Sequence, residues 1–177
     1  MPPVRPANVV LVGFMGAGKS ICGRVLARRL GRCFVETDDM IVASEGHSIP
    51  EIFATAGEER FRQLEAEMLE ALRTKTDHVI ATGGGLPCRA GRMETLKSLG
   101  TVVWLDGDFR DLYERARHTG ARPMLDGRPV AEVEALYRQR TPYYRQAHLT
   151  LDTTGLGVDE VVGRLVRLLR YPHAARV

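Results

Sequence analysis

Apolar residues follow two rhythms along this chain. Asn8–Val12 is a short continuous run, as suits a strand buried on both faces. Ile21, Val25, Leu26 and Leu30 then recur at helical spacing, which predicts a helix stopped by Gly31. The alternation continues. Further strands are predicted at Cys33–Glu36, 78–82, 101–105 and Leu149–Asp152, and helices at 89–99, 110–117 and 158–169. One or two helical turns are expected between Thr37 and Gly46. Ser48 and Glu51 have the spacing of a capping box and open a helix to about Thr55. A longer helix at 58–73 places Phe61, Leu64, Met68, Leu69 and Leu72 on one face. Residues 130–146 also read as helical, although Pro142 is expected to kink or split them. Polar residues punctuated by Gly and Pro make 118–129 a loop. Five strands alternating with helices predict an α/β fold, a parallel sheet covered on both faces.

The first strand and helix are joined by an unusual loop. Gly13, Gly16 and Gly18 lie within six residues, though glycine inside an element costs roughly 0.5–1 kcal/mol relative to alanine. Gly13, Gly18, Lys19 and Ser20 spell G-x-x-x-x-G-K-S between a strand and a helix, the phosphate-binding loop pattern. Its amides form a nest at a helix N-terminus, which favours anions. Lys19 is expected to reach the β- and γ-phosphates and, as a loop residue, to be exposed. The Ser20 hydroxyl is placed to ligate Mg²⁺. Lysine is scarce, at Lys19, Lys75 and Lys97 only, and its compact ammonium suits a phosphate better than a planar guanidinium. The loop implies a nucleoside triphosphate.

Composition narrows the setting. A chain of 177 residues is expected to form one domain with a substantial core, at about 8–169. The net charge of +3 is mild and no basic block occurs, which argues against nucleic acid as the main partner and allows acidic small substrates. Cys22, Cys33 and Cys88 have neither metal-site nor CxxC spacing, so reduced thiols in a cytoplasmic protein are expected. The N-terminal stretch lacks the apolar centre of a signal peptide, and no run is long enough to span a membrane.

A phosphate loop serves many chemistries. The single asparagine, Asn8, excludes the Asn-Lys-x-Asp guanine-recognition stretch of switch GTPases. The Leu-Ser-Gly-Gly signature of transporter motor subunits is absent too. Asp106, ending "VVWLD", reads either as a Mg²⁺-ordering carboxylate or as ordinary turn chemistry. Ligands of open parallel sheets sit beyond the carboxyl ends of the strands. Gly13, Glu36 with Asp38, and Gly83, Gly84 and Gly85 all follow predicted strands, so they are expected on one rim. Arg62, Arg122 and Arg140 complete the candidate set. Read alone, each arginine also fits a solvated surface, and Asp38 also fits a helix cap.

Taken in order, "LVGFMGAGKS", "FVETDD", "EERFRQLE", "ATGGG", "ARPML" and "YRQRTPYYRQA" resemble shikimate kinase over nearly the whole chain. The resemblance implies phosphorylation of the 3-hydroxyl of shikimate by MgATP, on the route to chorismate and aromatic amino acids. It implies a nucleoside-monophosphate-kinase-like P-loop fold, with a five-stranded parallel sheet of order 2-3-1-4-5 and a lid at about 117–128. It places ATP on Gly16, Ala17, Gly18, Lys19, Ser20, Ile21 and Arg122, the last brought by the lid. Asp38 would hold the acceptor hydroxyl and serve as base, Arg62 and Arg140 would hold its carboxylate, and the three glycines would line the same pocket. Lys19, Asp38 and Arg122 form the implied catalytic set, acting in a monomer. Arginine forks suit a carboxylate, and a closed lid excludes competing water.

One position departs from the family. Its usual Asp-x-Asp begins here with Glu36, implied to help hold Mg²⁺ with Ser20, through water. The extra methylene suits a water-mediated contact better than a direct one. Two alternatives differ in class: a nucleotide-binding regulatory module without turnover, and a gluconate-type sugar-acid kinase or nucleoside monophosphate kinase. Asp38, Arg62 and Arg140 together favour turnover on an acidic acceptor.

Overall fold

A computed structural model of the chain describes residues 8–119, 125 and 127–171. Five strands, β1 (Asn8–Val12), β2 (Cys33–Glu36), β3 (His78–Ala81), β4 (Thr101–Asp106) and β5 (Leu149–Asp152), form one sheet of order β2-β3-β1-β4-β5. Every pairing is parallel, with Val10 opposite Ile80 on one side and Val102 on the other. β1 is central and all five of its residues are buried, so both faces are covered, as its unbroken apolar run predicts. β2 and β5 are the half-exposed edges. Asn8 starts β1 by donating to the Lys75 and Leu99 carbonyls and accepting the His78 N–H.

The helices are α1 (Lys19–Leu30), α2 (Thr37–Glu45), α3 (Ile49–Leu72), α4 (Arg92–Leu99), α5 (Phe109–His118), α6 (Val130–Tyr144) and α7 (Val158–Arg170). α1 packs with α7, and α4 with α3, around the buried strands. The capping box forms: the Ser48 hydroxyl accepts the Glu51 N–H, and the Glu51 carboxylate accepts the Ser48 N–H. α3 runs on past the expected stop at Thr55, but Gly57 is non-helical and separates its two parts. Pro142 does not split α6. It lies in the last turn, where the missing N–H forfeits a single bond, and the Thr141 hydroxyl still donates to the Tyr137 carbonyl. α4 begins at Arg92 rather than 89, because tight turns occupy the preceding residues.

Candidate functional site

The loop after β1 and the start of α1 form a compact unit. Its glycines answer first to packing. A Cβ at Gly13 would lie 2.5 Å from the Leu105 carbonyl oxygen, and one at Gly16 would collide with the Leu112 carbonyl. These two are glycine because β4 and α5 press against the loop. Gly18, at φ 83°, is the left-handed cap from which α1 begins. Ala17 is buried and Ile21 lies on the outer surface, 54% exposed. Lys19 corrects the expectation of an exposed side chain. It is buried, and its ammonium donates to the Gly13 carbonyl at 2.7 Å and the Phe14 carbonyl at 3.0 Å. The cation is therefore anchored inside the loop it serves.

β2 and the start of α2 bring two carboxylates, Glu36 and Asp38, to the same rim. Glu36 accepts the Ser20 hydroxyl at 2.5 Å through one oxygen, and Arg24 lies 3.4 Å from the other. Ser20 and Glu36 thus meet as an oxygen pair beside the phosphate loop. That donor set suits Mg²⁺, which takes one or two protein oxygens and fills its remaining positions with phosphate and water. Asp106 is used differently. Its carboxylate accepts the Gly107 N–H at 2.8 Å and the Tyr137 hydroxyl at 3.3 Å, which supports the turn reading of "VVWLD".

Asp38 lies in the first turn of α2, above the glycine turn that follows β3. A Cβ at Gly83 would sit 2.6 Å from its Oδ1, so glycine there is a condition for Asp38's placement. Burial first, then the Glu36 carboxylate, push the Asp38 carboxyl above its ordinary value, while Lys19 pulls it down. Arg62 and Arg140 come from α3 and α6 and converge on Gly85: a Cβ there would lie 3.8 Å from Arg62 Nη1 and 3.3 Å from Arg140 Nη2. Glu65 and Glu58 hold Arg62 at 2.9 and 3.2 Å. Burial works against the Arg62 charge, but the Glu65 and then the Glu58 contacts outweigh it and leave its pKa raised.

Asp38, Arg62, Gly83, Gly84, Gly85 and Arg140 line one cavity of about 400 Å³. It is lined by three guanidinium groups, those of Arg62, Arg128 and Arg140, and by one carboxylate whose proton affinity is raised, so it can bind an acid and accept a hydroxyl proton at separate points. Phe14 and Met15 link it to the phosphate loop: Arg140 stands over the Phe14 ring, and Met15 lines the wall. Arg122 lies outside the described residues, as do 120–124 and 126 of the expected lid. Sequence reasoning missed Thr37, Glu65, Arg128 and Tyr144. Glu65 alone carried a signal, three residues after Arg62 on one helix, where side chains meet. Among the described residues no helix is long and apolar enough to cross a membrane.

Comparison with known proteins bears on this arrangement. Residues 15–170 match the family model described as Shikimate kinase. A shikimate kinase of Symbiobacterium thermophilum is 43% identical over 92% of this chain and 96% of its own length. One of Chromobacterium violaceum is 44% identical over 94% and 92%. A solved structure of shikimate kinase from Acinetobacter baumannii in complex with shikimate is 36% identical, covers 94% of each chain and superposes with a TM-score of 0.87.

Proposed function

The chain belongs to the shikimate kinase family and phosphorylates shikimate from ATP; we propose that the acceptor is the 3-hydroxyl, giving shikimate 3-phosphate and ADP on the route to chorismate and the aromatic amino acids. The observation that carries this reading is the convergence of Arg62, Arg140 and Asp38 on one glycine turn beside the phosphate loop. Arg62 and Arg140 clamp the acceptor carboxylate, for which paired forks are the natural host. That clamp turns the ring so that its hydroxyl meets Asp38.

The loop amides, the N-terminus of α1 and Lys19 hold the β- and γ-phosphates. The acceptor oxygen forms a bond to the γ-phosphorus as the bond to the β-bridging oxygen breaks, ADP leaves, and the hydroxyl proton passes to Asp38. Burial has already made that carboxylate a better proton acceptor than a surface aspartate. Ser20 and, through water, Glu36 would hold Mg²⁺, which would screen charge on the phosphates. The family resemblance assigns Arg122, which lies outside the described residues, to the phosphates, where a further cation would stabilise developing charge. The protein works in the cytoplasm as a monomer, its kinase domain having its core at about 8–169, without nucleic-acid or membrane partners.

The clamp is tested by binding. Arg140→Ala is expected to weaken shikimate binding by about 2–5 kcal/mol, the cost of halving a desolvated charge clamp, and to leave ATP binding nearly unchanged. Equal loss for both ligands in a calorimetric titration would assign Arg140 a structural role.

A further inference from the structure

Two hydroxyls outside the reacting set, one on α2 and one on α6, bond to the glycine turn. Thr37, the first residue of α2, is 1% exposed, and its Oγ1 accepts the Gly83 N–H at 2.9 Å. Tyr144, the last residue of α6, is wholly buried and donates its hydroxyl to the Gly84 carbonyl at 2.7 Å. The turn is internally stiff as well: Gly83 and Gly85 carbonyls accept the Leu86 and Cys88 N–H groups, each at 3.1 Å. Each hydroxyl stands beside a residue of the acceptor site. Thr37 immediately precedes Asp38, and Tyr144 follows Arg140 by four residues, one turn along the same helix face.

We propose that Thr37 and Tyr144 are positioning residues that pin two helices to one glycine turn, Thr37 setting Asp38 against the acceptor hydroxyl and Tyr144 setting Arg140 against the acceptor carboxylate. This rests on the roles given above to Asp38 and Arg140. The two staples act on different stages. A group that holds the carboxylate acts on binding, whereas a group that aims the reacting carboxylate acts on the chemical step, where about 1 Å of misplacement can cost 10²-fold. Separate staples therefore leave separate kinetic signatures.

The test is steady-state kinetics of Tyr144→Phe and Thr37→Val, each of which removes one hydroxyl. Tyr144→Phe is expected to raise the KM for shikimate about tenfold, with kcat and the KM for ATP within about twofold. Thr37→Val is expected to lower kcat about tenfold with little change in either KM, and Thr37→Ser to recover most of that loss. Melting temperatures establish that each variant folds, and Thr37→Ala replaces Thr37→Val if the latter does not. The proposal is overturned if Tyr144→Phe raises the KM for ATP as much as that for shikimate, if Thr37→Val acts mainly on either KM, or if kinetics are unchanged in either variant. A parent protein that does not turn over shikimate sinks the functional reading instead. The Thr37 staple is then decided by hydrogen exchange at Gly83, which Thr37→Val must accelerate about tenfold; unchanged exchange overturns it.

Discussion

Asp38 carries the sharpest conflict between stability and function at the residue scale. Its carboxyl is raised by burial and by Glu36. A carboxyl whose folded pKa lies above its unfolded value favours the fold when protonated, and that contribution is lost as pH rises through the folded value. At neutral pH the ionised side chain therefore costs stability. Asp38→Asn is expected to melt above the parent at pH 7, with the gap closing as pH falls toward about 3.9. The same variant is expected to lose turnover by about 10²–10⁴-fold while still binding nucleotide. Equal melting temperatures at pH 7, or near-parental turnover, would contradict the role. Lys19→Ala is expected to lower kcat at least about a hundredfold. Because Lys19 is buried on the Gly13 and Phe14 carbonyls, it is also expected to lower the melting temperature. Near-parental turnover in a folded Lys19→Ala protein would refute its catalytic part. Asp38, Arg62 and Arg140 stood out in the sequence through the family's motifs, since read alone each arginine fits a solvated surface and the aspartate fits a helix cap. Thr37 and Tyr144 did not, since a hydroxyl beside an apolar run looks the same whether it serves the core or the site.

Strand β4 and the residue before β5 supply a titration at the scale of elements. His148 Nδ1 accepts the Val102 N–H at 3.0 Å, which requires that nitrogen to be unprotonated. Burial, then the Lys97 charge, hold His148 below its ordinary value. Its stabilising contribution is thus present above the unfolded value of about 6.5 and lost as pH falls through the lower folded one. The melting temperature is expected to drop across that window, with faster hydrogen exchange at Val102. His148→Gln keeps an acceptor without a titrating ring and is expected to remove the step; the same pH profile in both proteins would contradict the assignment. Most elements were legible because their periodicities are strong, whereas their ends were not. The start of α4 is decided by turns at 86–91, and the passage of α6 through Pro142 by how near the proline lies to the helix end.

The strand order decides function for the molecule as a whole. With β2, β3 and β1 adjacent, Glu36 and Asp38, the glycine turn and the phosphate loop stand side by side along one edge of the sheet. Hydrophobic periodicity predicts five parallel strands but says nothing of their order, because each strand is equally apolar wherever it pairs. The order was legible only through the resemblance carried by six motifs, and the structure has it. The convergence of α3 and α6 on Gly85 follows from that order and not from any local pattern. One account joins these scales: acceptor acid on the arginine pair, acceptor hydroxyl on Asp38, phosphates on the loop. The most direct test is ADP release in a coupled assay with MgATP, run with shikimate, gluconate, AMP or no acceptor. Rapid release with shikimate alone, near the background rate otherwise, is the predicted result. ADP release at the same rate with and without shikimate would contradict the account.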